Sequence, residues 1–152
     1  MLSRQTVSTS VLMLVMLWMA VLLSNCAQHG GDVHVYKSPN CSCCAKWAAL
    51  MQRTGQAVTV ENVESIDKIE DKYGIPTSLR SCHTAIADGY IFEGHVPLDL
   101  VLKVLKERPP IAGLAVPGMP PGPPGMEVQG RNEPYRVIAF DKEGKQNVFA
   151  ER

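Results

Sequence analysis

Residues 32–53 constrain the fold more tightly than any other stretch of the chain. Asp-Val-His-Val-Tyr-Lys alternates, with Val33 and Val35 on one face, as a half-buried strand does. Ser38-Pro39-Asn40 then supplies turn and cap residues. A helical pattern follows from Cys41 to Arg53 and is closed by Gly55. The cysteine-rich segment Cys41-Ser42-Cys43-Cys44 therefore falls at the turn from the first strand into the first helix.

The remaining elements follow from the same patterns. Val58 to Val63 reads as a second strand, and Glu64 to Tyr73 as a charged amphipathic helix with Ile66 and Ile69 inward, stopped by Gly74. His83 to Ala87 and Tyr90 to Glu93 flank Asp88-Gly89, a strong hairpin signal. Pro97 opens a third helix through Leu98, Val101, Leu102 and Leu105, ended by Pro109-Pro110. Residues 109–126 are rich in Pro and Gly and read as an ordered loop folded back over the domain. Tyr135 to Phe140 and Gln146 to Ala150 form a terminal hairpin around Asp-Lys-Glu-Gly. The predicted fold is α/β, a thioredoxin-like β-α-β-α-β-β-α sheet with an added Pro/Gly-rich loop and a C-terminal hairpin.

The N-terminal stretch predicts export. Arg4 is the only charged side chain before Asp32, and Val11 through Leu23 is an unbroken apolar run of 13 residues. A bilayer crossing needs about 20 residues, so this run suits a signal-peptide core better than a membrane span. Leu23-Ser24-Asn25-Cys26 resembles a lipoprotein box, although Asn25 stands where a small residue is expected. Lipidation at Cys26 and ordinary cleavage near Cys26 or Ala27 both stay open. The reading is a signal segment over 1–27 and one domain over 28–152, located in the periplasm. Membrane attachment would come only through a lipid anchor on Cys26.

A chain of 152 residues can bury a core without disulfide staples. Fifteen basic side chains balance fifteen acidic ones, and no basic run is interleaved with aromatics, which argues against a nucleic-acid partner. No Ser-His-Asp arrangement, phosphate-binding Gly loop or paired-carboxylate spacing points to a hydrolase or a nucleotide-binding protein.

The chemistry lies in the cysteines. Backbone N–H groups and the positive end of the helix dipole favour thiolates at a helix N-terminus. Cys41 and Cys44 are three apart, hence on one face and within reach of one ion or of each other, whereas Cys43 points elsewhere. Cys82 precedes the strand of the Asp88-Gly89 hairpin. In a thioredoxin-like topology it approaches the three thiols, unless a structural disulfide claims it. Four thiolates would satisfy zinc in a closed site. Thiolate and thioether donors together suit Cu(I), and Met119 and Met126 in the Pro/Gly-rich loop add that second donor type. Among the histidines, His83 beside Cys82 is the best ligand candidate, followed by His95. His34 and His29 are weaker.

Several motifs together resemble a known family. They are Cys41-Ser42-Cys43-Cys44-Ala45-Lys46-Trp47, Tyr73-Gly74-Ile75-Pro76 and Ser81-Cys82-His83-Thr84-Ala85. Asp88-Gly89-Tyr90, Glu93-Gly94-His95-Val96-Pro97 and Gly113-Leu114-Ala115-Val116-Pro117-Gly118-Met119-Pro120 complete the set. From about Val33 to the C-terminus the chain resembles the small periplasmic, thioredoxin-like metal-binding proteins typified by the copper-resistance protein CopG, a family long described only as a domain of unknown function. Pro123 departs from the serine usual before Pro-Gly-Met and leaves every candidate ligand intact. The resemblance implies copper handling, with cysteine-bound copper clusters and interconversion of Cu(I) and Cu(II). It implies copper on Cys41, Cys43, Cys44 and Cys82, with His83, His95 and Met119 as further ligands. The partners it implies are copper ions and other periplasmic copper-handling proteins.

Whether the chain is an enzyme stays open at this stage. The rival readings are a thiol–disulfide oxidoreductase using Cys41 and Cys44, and a structural zinc module that would unfold on losing its metal.

Overall fold

The computed structural model describes residues 32–129, 131 and 133–152. The segment 1–27 expected to be a signal, with Cys26, and also His29 lie outside the described residues.

Strand β1 (Val33–Lys37) buries alternate residues, so Val33, Val35 and Lys37 share the inward face. Lys37 tolerates that position because its ammonium donates to the carbonyls of Ser38 and Pro39, at 2.9 and 3.4 Å. Helix α1 (Ser42–Arg53) buries Cys44, Trp47, Ala48 and Met51, the i, i+3, i+4, i+7 stripe of an amphipathic helix. Strand β2 (Val58–Asn62) pairs parallel with β1 at the sheet edge.

Helix α2 (Ile66–Lys72) is shorter than its sequence pattern predicts, and its one fully buried side chain is Glu70 rather than Ile66 or Ile69. The two isoleucines are half-buried. A single 3-10 turn (Thr77–Leu79) leads to β3 (His83–Ala87) and β4 (Tyr90–Glu93). These strands form the expected hairpin, with positive φ at both Asp88 and Gly89, as a tight turn of mirror-image type needs. Helix α3 (Leu98–Glu107) buries Leu100, Val101 and Val104 and ends on Arg108 in the left-handed region.

The element order β-α-β-α-β-β-α is the expected one. The Pro/Gly-rich segment, however, is not all loop. Gly113–Ala115 forms β5, parallel to β4, and it joins the hairpin of β6 (Arg136–Phe140) and β7 (Gln146–Glu151) to the rest of the sheet. The sheet runs β2-β1-β3-β4-β5-β6-β7. Gly113 is required there, because a Cβ at that position would lie 2.0 Å from the Ile91 carbonyl oxygen.

Two cores sit on opposite faces of the sheet. Trp47 and Met51 of α1, with Val101 and Val104 of α3, pack on Val33, Val35, Ala85, Phe92 and Leu114. Ile75, Leu79, Ala115 and Phe140 form the second core, beside Tyr73. Because side chains alternate across a strand, His83 falls on the α1 face, while Thr84 and Glu93 fall on the α2 face.

Candidate metal centre

Cys41 is the N-cap of α1. Its backbone is extended (φ −79°, ψ 96°), and its sulfur accepts the Cys44 backbone N–H at 3.3 Å. In this structure Cys41 and Cys44 are joined as a disulfide with their Cα atoms 5.4 Å apart, and Cys43 and Cys82 are free thiols. Helical spacing predicted that Cys43 points away from this pair, and the structure corrects that. Its sulfur lies 3.4 Å from that of Cys41, because Cys41 precedes the first helical residue and does not obey the helix's angular period.

Cys82 arrives from the other side, at the residue before β3. Its carbonyl oxygen is 3.5 Å from the Cys44 sulfur, and all four cysteine sulfurs lie within 4.8 Å of one another. Burial pushes the Cys82 thiol up to about 12, and the nearby Cys43 adds to the rise, while the Ser81 hydroxyl opposes it. Without a metal, Cys82 is therefore a protonated thiol at neutral pH, and an ion binding there displaces its proton.

A second donor group overlaps the first. Cys44, Cys82, His83 and His95 each offer a ligand atom within 4.8 Å of the others. His83 and His95 are 0 % and 1 % exposed, and the Nε2 of each has no hydrogen-bond partner among the described residues. His95 Nδ1 donates to the Pro124 carbonyl at 2.8 Å, which leaves its Nε2 as the lone-pair nitrogen. His83 Nδ1 lies 3.5 Å from the Cys82 sulfur. Burial, with help from His95 and Lys37, holds His83 down to about 3; burial likewise lowers His95. Both rings are neutral at physiological pH, the state in which imidazole ligates a metal.

The Pro/Gly-rich loop folds back over the domain as expected, and it lies over the site. Gly118 donates its N–H to Arg80 (3.2 Å) and accepts from the Ser81 hydroxyl, and Pro124 holds His95. A Cβ on Gly125 would come within 2.9 Å of the Cys43 carbonyl oxygen and 3.1 Å of the Trp47 nitrogen, so the loop lies directly on the start of α1. Met119 rides on this loop with 58 % of its surface exposed, and Met126 is half-buried. His34 is not part of the centre. It sits on β1 and bonds Glu61 at 2.9 Å.

Trp47 and Glu93 stand within motifs quoted above, but periodicity and spacing gave no sign of the supporting roles of Trp47, Lys37, Glu70 and Glu93. Trp47 donates its indole N–H to Val96 (2.8 Å) and stacks 4.8 Å from the His83 ring. Lys37 ties down the segment leading into Cys41. Glu70 and Glu93 lie buried on the opposite face, beneath Ser81.

Two solved structures of the copper resistance protein CopG, described as form 1 and form 2, share this architecture. The first aligns with a TM-score of 0.76 at 37% identity, over 82% of this chain and 98% of the other. The second aligns with a TM-score of 0.77 at the same identity, over 82% and 99%. The chain belongs to the CopG family. A family profile described as "Protein of unknown function, DUF411" matches residues 79–126, which span Cys82, His83, His95 and the loop that covers them. No curated protein sequence matches the chain. Among the described residues no helix is long and apolar enough to cross a membrane.

Proposed function

We propose that this protein handles copper in the periplasm, holding Cu(I) on the thiolates of Cys41, Cys43, Cys44 and Cys82, with His83 and His95 as inner nitrogen donors. The observation that carries this reading is the overlap of a four-sulfur cluster with a second donor group, in which Cys44 and Cys82 meet two buried histidines whose Nε2 atoms have no partner among the described residues. An orphaned, buried polar atom costs free energy in a finished fold, so its presence on both rings beside a thiol cluster marks a site built to bind something. Thiolate and imidazole are donors that copper accepts. The name carried by the solved relatives agrees with that choice. The exposed thioether of Met119 fits a role in passing copper in or out rather than in holding it.

The domain is read as thioredoxin-like, with the cysteine motif at the first helix N-terminus. When Cys41 and Cys44 are thiols, closing them to the disulfide releases two protons and two electrons. Those electrons reduce two Cu(II) substrate ions to Cu(I). Closure also withdraws Cys41 and Cys44 as thiolate ligands, leaving Cys43, Cys82 and the two histidines.

The test is to express the chain with its N-terminal segment into a copper-supplemented periplasm, then measure copper content and free thiols. Copper with the thiols protected is expected, and Cys41→Ser or Cys44→Ser should abolish stable copper binding. A variant that holds copper as tightly as the parent refutes the site.

The Cys41–Cys44 disulfide at a helix N-terminus favours one further reading, a thiol–disulfide oxidoreductase. Brisk reduction of insulin by the metal-free protein would support it. Cys43, 3.4 Å from Cys41, argues against it, because a third thiol there would capture mixed disulfides.

A further inference from the structure

We propose that Glu93, backed by Glu70, is a positioning residue for the metal centre: the two carboxyl groups grip the Ser81 backbone N–H and so fix the segment that delivers Cys82 and His83. The proposal rests on the copper-handling reading of that site.

The two acids come from separate elements, α2 and β4, and both are essentially inaccessible to solvent. Ser81 N–H donates to Glu93 Oε1 at 2.7 Å, with Glu70 Oε1 3.3 Å away. The other Glu93 oxygen accepts the Thr84 hydroxyl at 2.7 Å, across the β3–β4 pair. Two buried carboxyls this close cannot both be ionised, so they share a proton; burial pushes Glu93 up to about 9 and raises Glu70 as well. Arg80 stands 3.7 Å from Glu70 Oε2 and is itself bound to Asp71 and to the Ile75 carbonyl.

Apolar side chains at positions 70 and 93 would fill the same space between α2 and the sheet without burying two acids. What the carboxyls add is acceptors for Ser81, the residue immediately before Cys82. The rest of the packing around Ser81 agrees. Its hydroxyl holds the Gly118 carbonyl, and a Cβ on Gly94 would come within 2.6 Å of that hydroxyl. Cys82 is thus held from the far face of the sheet, while its sulfur meets the thiol cluster at the sheet's end.

Glu93→Leu fills the same space and offers no acceptor to Ser81 or Thr84. In the metal-free protein, amide exchange at Ser81 and Cys82 is expected to accelerate about threefold to tenfold, as loss of one hydrogen bond implies. Amides of Val33 and Val35 should stay unchanged. Copper retention against a chelator should weaken by a similar factor although Cys41, Cys43 and Cys44 are intact. Glu70→Gln, which keeps a side-chain carbonyl oxygen near Ser81, should move both readouts less than Glu93→Leu. Unchanged exchange and unchanged copper retention in folded Glu93→Leu overturn the proposal. If that variant does not fold, Glu93→Asp, which retracts the carboxylate by one methylene, decides by the same two readouts. If the parent takes up no copper, the reading of the centre fails, and the exchange measurement alone judges the clamp.

Discussion

The rings of His83 and His95 meet edge to face with centroids 4.9 Å apart, and each presents a buried Nε2 without a partner among the described residues. Two neutral imidazoles placed this way strain the metal-free fold, because each nitrogen gave up its hydration for no hydrogen bond. The centre is thus a place where stability is sacrificed for binding.

That trade is measurable in His83→Leu. Leucine fills similar space against Trp47 and removes one orphaned nitrogen, whose desolvation costs about 1–3 kcal/mol. The metal-free variant is expected to melt a few degrees above the parent, roughly 2–6 °C. Its copper should be lost to a chelator far more readily. A calorimetric scan and a copper competition are the two measurements, and a lower Tm combined with unchanged copper retention contradicts the ligand role.

The sequence made the order of strands and helices legible because alternation and helical spacing are local. That Cys82 would meet the thiols of the first helix start was legible too, because the strand order carries its strand to that end of the sheet. The three-residue β5 was hidden because Gly-Leu-Ala between prolines carries no periodicity, and its pairing with β4 on one side and β6 on the other makes it a strand. Glu70 and Glu93 were hidden for the opposite reason. Charges on an amphipathic helix and at a strand end normally face water, and nothing local reveals that the fold will turn both inward on Ser81. Cys43 was misplaced because helical spacing was counted from Cys41, which the structure makes a cap.

Gly125→Ala tests whether the loop seals the centre. Gly125 has φ +86°, and an added methyl would press on the Cys43 carbonyl and the Trp47 nitrogen, with His95 Nδ1 at 3.4 Å. The left-handed conformation alone costs a side chain about 1–2 kcal/mol. We expect a loss of about 1–3 kcal/mol in chemical denaturation. Copper should also be released faster to a chelator, because the bond from His95 to Pro124 is displaced together with the loop. A variant with parental stability and release would show that the loop yields freely.

The buried acid pair gives the metal-free domain a pH signature. Glu93 has its native pKa raised to about 9 from an unfolded value near 4.3. Between those values the native state binds more protons than the unfolded chain. Stability contributed by this group is therefore complete below about 4.3 and is lost as pH rises through about 9. The slope approaches about 1.4 kcal/mol per pH unit for one proton. His83, held down to about 3, acts in the other direction, losing its contribution as pH falls below about 6.5. Urea titrations of the metal-free protein from pH 7 to 9 should show declining stability. Glu93→Gln, which cannot ionise, should flatten that decline; an equally steep decline in the variant assigns it to another group.

Cys43→Ser separates copper handling from disulfide exchange most cleanly. Cys43 is outside the Cys41–Cys44 disulfide, yet its sulfur lies 3.4 Å from that of Cys41 and within the cluster of four. Serine is nearly isosteric and leaves the N-cap bond from the Cys44 amide to the Cys41 sulfur in place, so the fold and the dithiol pair should persist. If the centre holds Cu(I), the variant loses a soft donor that oxygen cannot replace. Bound copper per chain should fall, and the remaining copper should be removed more easily by a thiol-competing chelator. If the Cys41–Cys44 pair instead works as an oxidoreductase, insulin reduction should be unchanged or faster, because the thiol that would intercept a mixed disulfide is gone. Copper content and insulin turnover measured on the same preparation therefore move in different directions under the two readings. Reduced copper without gained turnover is the outcome that the convergence of Cys43 on Cys41, Cys44 and Cys82 leads us to expect.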